Sequence, residues 1–454
     1  MQATKDNRLG TENITRLMIS LAIPSVLAQI VNVLYNIVDR IYIGRIPGVG
    51  AVALTGVGVT FPIITIISAF SGFASGGGAP LAAIALGQGD RKRAERILGN
   101  AASLLLFFSA LLMLFFFVFQ KPLLYLFGAS DNTIGYSSTY ISIYLLGTVF
   151  VQLAVGLNTF ISCQGHARTA MCSVLIGAVV NIALDPLFIF VFHMGVRGAA
   201  LATVISQAIS TLWVVLFLCG KKTQLHLRKK HLHLEAKVVL PCIALGLAAF
   251  IMQSSESIVT VCFNSSLLRY GGDIAVGAMT ILTSVMQFAM LPLQGIAQGA
   301  QPISSYNYGA KNADRVKKTF RLLLITCLSY SVLLWAAVQL VPRVFVSIFT
   351  ADTDLIGFTA PMLKIYLGGL FLFGIQIACQ MTFTSLGKAV NSIIVAVVRK
   401  FVLLIPLIYI MPHMISDSTT GVYMAEPIAD ITAVIFTSVL FTFQFKKALA
   451  EIQN

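Results

Sequence analysis

The sequence predicts an all-α integral membrane protein with twelve transmembrane helices in two six-helix lobes related by pseudo-twofold symmetry. Three observations predict it: a composition too apolar for water, basic residues confined to alternate loops, and punctuation that recurs half a chain apart. Of the 454 residues, 57% are hydrophobic and 11% charged, where a soluble domain carries about 25% charged residues. A bilayer is spanned by about 20 apolar residues, and stretches such as AASLLLFFSALLMLFFFVFQ (101–120) hold no charge at all. Backbone polar groups find no water in hydrocarbon, so these spans are read as helices. The short alternating segments of a membrane barrel are not evident.

Helices are predicted near 17–44, 51–76, 95–119, 133–160, 168–193, 198–219, 236–266, 274–300, 315–341, 358–384, 391–412 and 421–445. The polar first sixteen residues lead into an apolar stretch without a small-residue cleavage site, so a signal peptide is not expected. The net charge of +14 suggests nucleic acid until the basic residues are placed. The N-terminus, the loops after every second span and the C-terminal tail carry 22 Lys and Arg; the opposite side carries seven. This is the positive-inside pattern of a multi-pass protein of the cytoplasmic (inner) membrane with both termini in the cytoplasm, and the expected partner is the lipid bilayer, not nucleic acid. The longest basic loop, LHLRKKHLHLE (225–235), suits anionic headgroups better than it suits a metal tract built on His226, His231 and His233. The seven cysteines lack CxxC spacing and mostly lie in apolar stretches, where they serve as small fillers.

Shifting the chain by about 222 residues aligns Pro80 with Pro302, Gly87 with Gly309 and Gly165 with Gly387, and brings Pro186 near Pro406 and Gly198 near Gly421. Several matches in one order at one offset define a repeat. The lobes are therefore drawn at 1–222 and 223–454. Six spans per half make the repeats parallel, with an axis along the membrane normal, and such repeats place the substrate site at their interface near the midplane.

Charges inside the spans are functional hypotheses because they are costly there. Asp39 shares one face of the first span with Gln29, Asn32 and Asn36, at steps of 3, 4 and 3. Asp185 lies in NIALDP, with Asn181 one turn earlier and Pro186, which disturbs the helical ladder, directly after. These residues, Asp39, Asp185, Asn181 and Asn36, are the expected cation-coupling set; burial disfavours an unpaired carboxylate's charge and so favours cation capture. In the second half Glu256, Glu426 and Asp430 accompany two intramembrane cations, Arg399 and Lys400. Two readings stand side by side for this group: a charge network that locks the lobe, and a part in transport. Met279, Met286, Met290, Gln294, Gln376 and Gln380, with Gln29, Asn32 and Glu256, are expected to line a substrate cleft; flexible Met surfaces accept varied ligands.

The run NVLYNIVDRIYIGR, the segment NIALDPLFIF and the loops GQGDRKRAE and YGAKNADRVKK resemble the multidrug and toxic compound extrusion (MATE) family over essentially the whole chain. The resemblance implies a V-shaped pair of lobes around a central cleft, and efflux of drugs or toxic cations in exchange for H⁺ or Na⁺, with no cofactor beyond that coupling ion. It places Asp39 and Asp185 where the family's first-lobe acids stand, and Glu256 where some branches carry a helix-7 acid. The tenth span (IYLGGLFLFGIQIACQ) lacks an acid that some members have, which points coupling to the first lobe. Helix 1 is expected to bend near Pro24 during transport, and the protein to work as a monomer. The competing readings are a lipid-linked oligosaccharide flippase of the same superfamily, whose cleft would carry several cations, a channel, and a membrane enzyme. No nucleophile constellation, Walker loop or metal motif supports an enzyme; GGGAP (76–80) lacks the Lys of a phosphate loop and reads as close helix packing.

Overall fold

A computed structural model describes residues 8–453. The first lobe comprises α1 (Ile14–Gly44), α2 (Phe61–Gly87, preceded by the short helix Gly50–Val59), α3 (Arg91–Leu126), α4 (Ile134–Leu146 and Thr148–Ser162), α5 (Ala167–Val191) and α6 (Val196–Cys219). A continuous helical run, Ala236–Gly309, turns at Gly272, where φ is +65°; few residues but glycine adopt that angle cheaply. It divides into α7 (residues 236–271) and α8 (residues 273–309). The second lobe continues with α9 (Ala313–Leu340), α10 (Thr353–Tyr366 and Leu370–Ser385), α11 (Ala389–Met414) and α12 (Ser418–Gln453). Among the described residues this makes twelve spans. Their outer faces carry exposed Leu114, Val118, Leu333 and Phe443, each more than 60% accessible. A water-soluble fold would not leave such a belt uncovered, so the chain is a multi-pass membrane protein.

The sequence expectation is corrected at four spans. The fourth and tenth spans are not single rods; they bend by 57° at Gly147 and by 48° between Tyr366 and Leu370. The second span runs on to Gly87 and the eighth to Gly309, beyond the apolar stretch. Both extensions persist because their small faces pack on one another: a methyl group on Gly87 would lie 2.0 Å from the Tyr306 carbonyl oxygen, and one on Gly309 2.0 Å from that of Ile84. Apolarity marks where lipid ends, not where a helix ends.

The internal repeat extends to local irregularities. Gly165 and Gly387 both have positive φ, at 86° and 69°. Asp90 caps α3 by accepting from the Arg93 amide, and Asn312 caps α9 by accepting from the Arg315 amide. The fifth span of each lobe contains a π-turn, Leu187–Val191 in α5 and Val398–Leu404 in α11. Gly198 packs on the backbone of Phe188, and Gly421 on that of Met411.

The lobes touch in a symmetric cross. Gly295 and Gly299 of α8 lie against Val26 and Ala22 of α1, while Gly76 and Gly77 of α2 lie against Ala249 and Cys242 of α7. Phe250 of α7 stacks on Phe73 of α2 with ring centroids 5.2 Å apart. These contacts gather toward the end that carries the N-terminus, where Asn307 and Arg315 also hold the Leu9 carbonyl. Toward the other end Leu34, Ile37 and Ile41 of α1 and Ile258 and Val261 of α7 stand exposed.

The boundary drawn between 222 and 223 falls in the connection from α6 to α7, and this connection is fastened to the first lobe. The Gln164 side-chain oxygen accepts from the Thr223 hydroxyl and from the amides of Gln224 and Leu225. Glu95 pairs with Arg228 at 2.9 Å, and Asn100 accepts from the Glu235 amide at 2.6 Å. The loop histidines serve this strap: His226 meets Arg91 and Glu95, and His233 meets Glu235.

Candidate functional site in the first lobe

Asp39 is set on α1 facing into the first lobe, 8% exposed, and Asp185 on α5 is completely buried. Their carboxyl groups lie within hydrogen-bond reach of each other. Carboxylates only accept, so that contact is a hydrogen bond only when one of them holds a proton. Asn181, one turn before Asp185, donates weakly to Asp185 Oδ1 at 3.4 Å and to Thr203 Oγ1 at 3.5 Å. Thr203 gives its own proton to the Ala199 carbonyl, which leaves its oxygen free to accept. The Tyr140 hydroxyl bonds to Thr203 and lies close to both acids. Three buried oxygens at this point, Asp39 Oδ1, Asp185 Oδ2 and Asn181 Oδ1, lack a hydrogen-bond partner. Arg40, next to Asp39 in sequence, turns away over the Phe61 ring at 5.2 Å. Among the described residues neither acid has an ion-pair partner within the salt-bridge range. Such oxygens, clustered and uncompensated, suit a small hard cation or a proton.

One turn nearer the N-terminal end of α1 a cavity of about 250 Å³ begins. Gln29, Asn32 and Tyr35 of α1 form one wall, and Asn158, Ser173, Gln207 and Ser210 of α4, α5 and α6 form the others. Gln298 of α8 closes it from the second lobe and accepts from the Gln29 amide at 3.2 Å. The wall sets amides and hydroxyls among apolar groups and carries no charge, and α1 joins it directly to Asp39.

The polar stripe on α1 is thus divided. Gln29 and Asn32 face the cavity and Asp39 faces α5, but Asn36 stays exposed and its amide donates to the Asn32 carbonyl. Among the described residues Asn36 is not hydrogen-bonded to either acid: an asparagine can satisfy itself on its own helix backbone, whereas a carboxylate cannot. Thr203 and Tyr140 stand in the site instead. Sequence reading missed them because Thr and Tyr carry no charge to mark them. It also missed Gln298, although it lies one turn beyond Gln294 on the same face.

The residues assigned to a cleft in the second lobe are dispersed. Met279 is 2% exposed within the lobe's apolar core, and Met286 and Met290 pack against that core. Gln376 is buried, and Gln380 donates to the Ser392 carbonyl and hydroxyl inside the lobe. These five do not line an open cleft in this conformation, because their helix faces are used for packing. Gln294 is exposed.

The second-lobe charges do meet. Arg399 holds Asp430 at 2.8 Å and Glu426 at 3.3 Å, with its guanidinium 4.6 Å from the centre of the Phe373 ring. Lys400 holds Glu256 at 2.7 Å. Both cations and the acids Glu426 and Asp430 are under 5% exposed, whereas the Glu256 side chain is 58% exposed.

Comparison with known proteins agrees with this geometry. Over 96% of this chain and 95% of the relative, the sequence is 24% identical to the multidrug export protein MepA of Staphylococcus haemolyticus. A solved MATE structure in a bent conformation superposes with a TM-score of 0.92 at 22% identity, covering 99% of this chain and all of that one. An outward-facing multidrug resistance MATE transporter of the MOP superfamily superposes with a TM-score of 0.91 at 21% identity over the whole of both chains. The MatE family model matches twice, at residues 24–187 and 246–410, once in each half. With most of its length matched, an all-helical frame shared with solved MATE structures and the repeat written into its sequence, the chain is a member of the MatE family, a family of transporters and not of enzymes.

Proposed function

We propose that the protein exports cationic or amphipathic small molecules from the cell by secondary antiport, taking up H⁺ or Na⁺ at Asp39 and Asp185. The observation that carries this reading is the pair of facing, buried carboxyl groups whose oxygens at Asp39 Oδ1 and Asp185 Oδ2 have no hydrogen-bond partner, with the neighbouring Arg40 turned away over Phe61. The relatives' name as multidrug exporters supports the substrate class, and the excess of basic residues on one side supports cytoplasmic termini.

In this reading the cation enters while the V is open away from the termini. It fills the space among Asp39, Asp185 and Asn181 and lowers the cost of drawing the two acids together. Asp39 and the cavity wall Gln29–Asn32 belong to one helix, so a change at the acids is transmitted to the substrate cavity through α1. Coupling requires only that cation and substrate favour different conformations. A flippase for pyrophosphate-linked lipid would want cations along the cavity; this one is lined by amides, hydroxyls and apolar groups.

The test is efflux of a fluorescent cationic dye from vesicles in which ΔpH and ΔNa⁺ are clamped separately. Efflux driven by one gradient in the wild type, and lost in Asp39→Asn and Asp185→Asn, is expected. Wild-type efflux from both variants, or indifference to both gradients, would remove the proposal.

A further inference from the structure

The segment ahead of each lobe's first helix is fastened to the other lobe. The connection before α7 is held by Gln164, Glu95 and Asn100 of the first lobe. The residues before α1 are held by the second. Asn307 of α8 donates to the Leu9 carbonyl at 2.9 Å; Arg315 of α9 donates to the same carbonyl at 3.1 Å and to that of Glu12 at 2.8 Å. At the repeat offset of about 222, Leu9 corresponds to His231, which packs on Gly99 of α3. The exchange of segments between lobes is therefore part of the repeat.

Leu9 is 4% exposed although it lies in a helical turn of only four residues, Arg8–Thr11. A methyl group on Gly165 of the first lobe would lie 3.4 Å from Leu9 Cδ2, and Leu9 shares an apolar cluster with Ala167 of α5 and Ile303 of α8. Its side chain thus rests on one lobe while its carbonyl is bound by the other. Glu12 directly precedes Asn13, which caps α1 by accepting from the Thr15 and Arg16 amides. The Arg315 contact therefore ties the start of α1, the helix that carries Asp39, to the second lobe. Arg315 Nε also donates to Asn307 Oδ1 at 3.1 Å, and the Asn307 amide to the Ile303 carbonyl at 2.8 Å. Those bonds need nothing from residues 8–13, so release leaves neither donor side chain wholly unmatched.

We propose that residues 8–13 are a releasable latch, with Asn307 and Arg315 as its catch, that keeps the lobes together on the side of the termini. While Leu9 is held, Gly165 and Asn307 cannot move apart. Opening on this side requires the Leu9 and Glu12 carbonyls to leave their donors. Among the described residues three hydrogen bonds and one buried leucine oppose that step. The connection before α7 has an ion pair as well as side-chain bonds and stays in place. The latch thus sets the balance between two conformations. The inference rests on the export reading only for the need to open on both sides.

The experiment uses the full-length protein in lipid nanodiscs. Spin labels are attached through azide-bearing amino acids at the exposed positions Lys92 on α3 and Lys318 on α9, which leaves the native cysteines in place. Double electron–electron resonance then reads the distance between the lobes on the side of the termini. Asn307→Ala combined with Arg315→Gln is expected to raise the share of a longer distance about tenfold over wild type. Leu9→Ala attacks the latch from its other side and should shift the distribution in the same direction. Adding it to the catch variants should give less than the sum of the separate shifts, the mark of one coupled unit. An unchanged distribution in the folded catch variant or in folded Leu9→Ala overturns the proposal. A merely local role predicts faster amide exchange over Ile14–Met18 with the distance unchanged, and that outcome overturns it too. The distances are measured without gradient or substrate, so failure of dye efflux in vesicles would strike the export reading alone.

Discussion

The two lobes share a frame and differ in how they treat charge. In the first, Asp39 and Asp185 face each other with unpartnered oxygens, and the nearby Arg40 is turned away over Phe61 rather than paired with them. In the second, Glu426 and Asp430 share Arg399, and Lys400 serves Glu256. Both lobes place these groups around the fifth span beside its π-turn. Duplication thus preserved the place where polar groups are tolerated and let their chemistry diverge. A lobe whose acids already hold ion-pair partners must rearrange them to take up a further cation, whereas a lobe whose acids have no such partner changes its energy directly when one binds.

The largest effect expected from breaking this contrast is on transport. Asp185→Asn should reduce gradient-driven dye efflux to the level of empty vesicles, with a thermal midpoint no lower than wild type because an uncompensated carboxylate is removed. Arg399→Ala should do the reverse. It leaves two buried carboxylates without their cation and should lower stability by about 3–5 kcal/mol, read as a drop in thermal midpoint before any assay of transport. A midpoint unchanged by Arg399→Ala would show that the second lobe is not held by its charges. Next in size, Gly309→Val should separate α8 from α2, since its Cβ would collide with the Ile84 carbonyl. Spin labels on the N-terminal ends of α1 and α9 should then report a longer distance, with helix content by circular dichroism unchanged.

The smallest effect lies outside the membrane. Asp417 accepts from the amides of Thr419 and Thr420 and from the Thr420 hydroxyl at the start of α12. Those donors hold its carboxyl below the usual carboxylate range. Asp417→Ala should cost about 1 kcal/mol. A depressed folded-state value means that this contribution is present above about pH 4 and fades as the pH falls through the folded value. The difference in midpoint between Asp417→Ala and wild type should therefore shrink in acid.

Much of this was legible in the sequence for reasons of cost. A charge inside an apolar span is expensive, so Asp39, Asp185, Arg399 and Lys400 announced themselves. Twelve spans followed from hydropathy alone. Features that are cheap to encode stayed hidden. Any span holds glycines, and nothing local distinguished Gly147 or Gly272 as the breaks. Thr203 and Tyr140 became site residues only through the packing of α4 and α6 around α5. Met279 reads like a ligand-facing methionine until the fold turns it into the core.

The fastening of the connection between the lobes has a mechanical consequence. A sixteen-residue tether from Gly220 to Glu235 could have been slack. Instead Gln164, Glu95 and Asn100 pin it to the first lobe up to the residue where α7 begins, and α7 then crosses α2 within two turns, at Cys242 and Gly77. The second lobe is thus attached to the first at a fixed point beside their glycine crossing. With so little free length, the lobes are expected to rock about that point rather than slide apart. The connection behaves as a pivot pin, and loosening Gln164 should show as lost coordination between the lobes before it shows as lost fold.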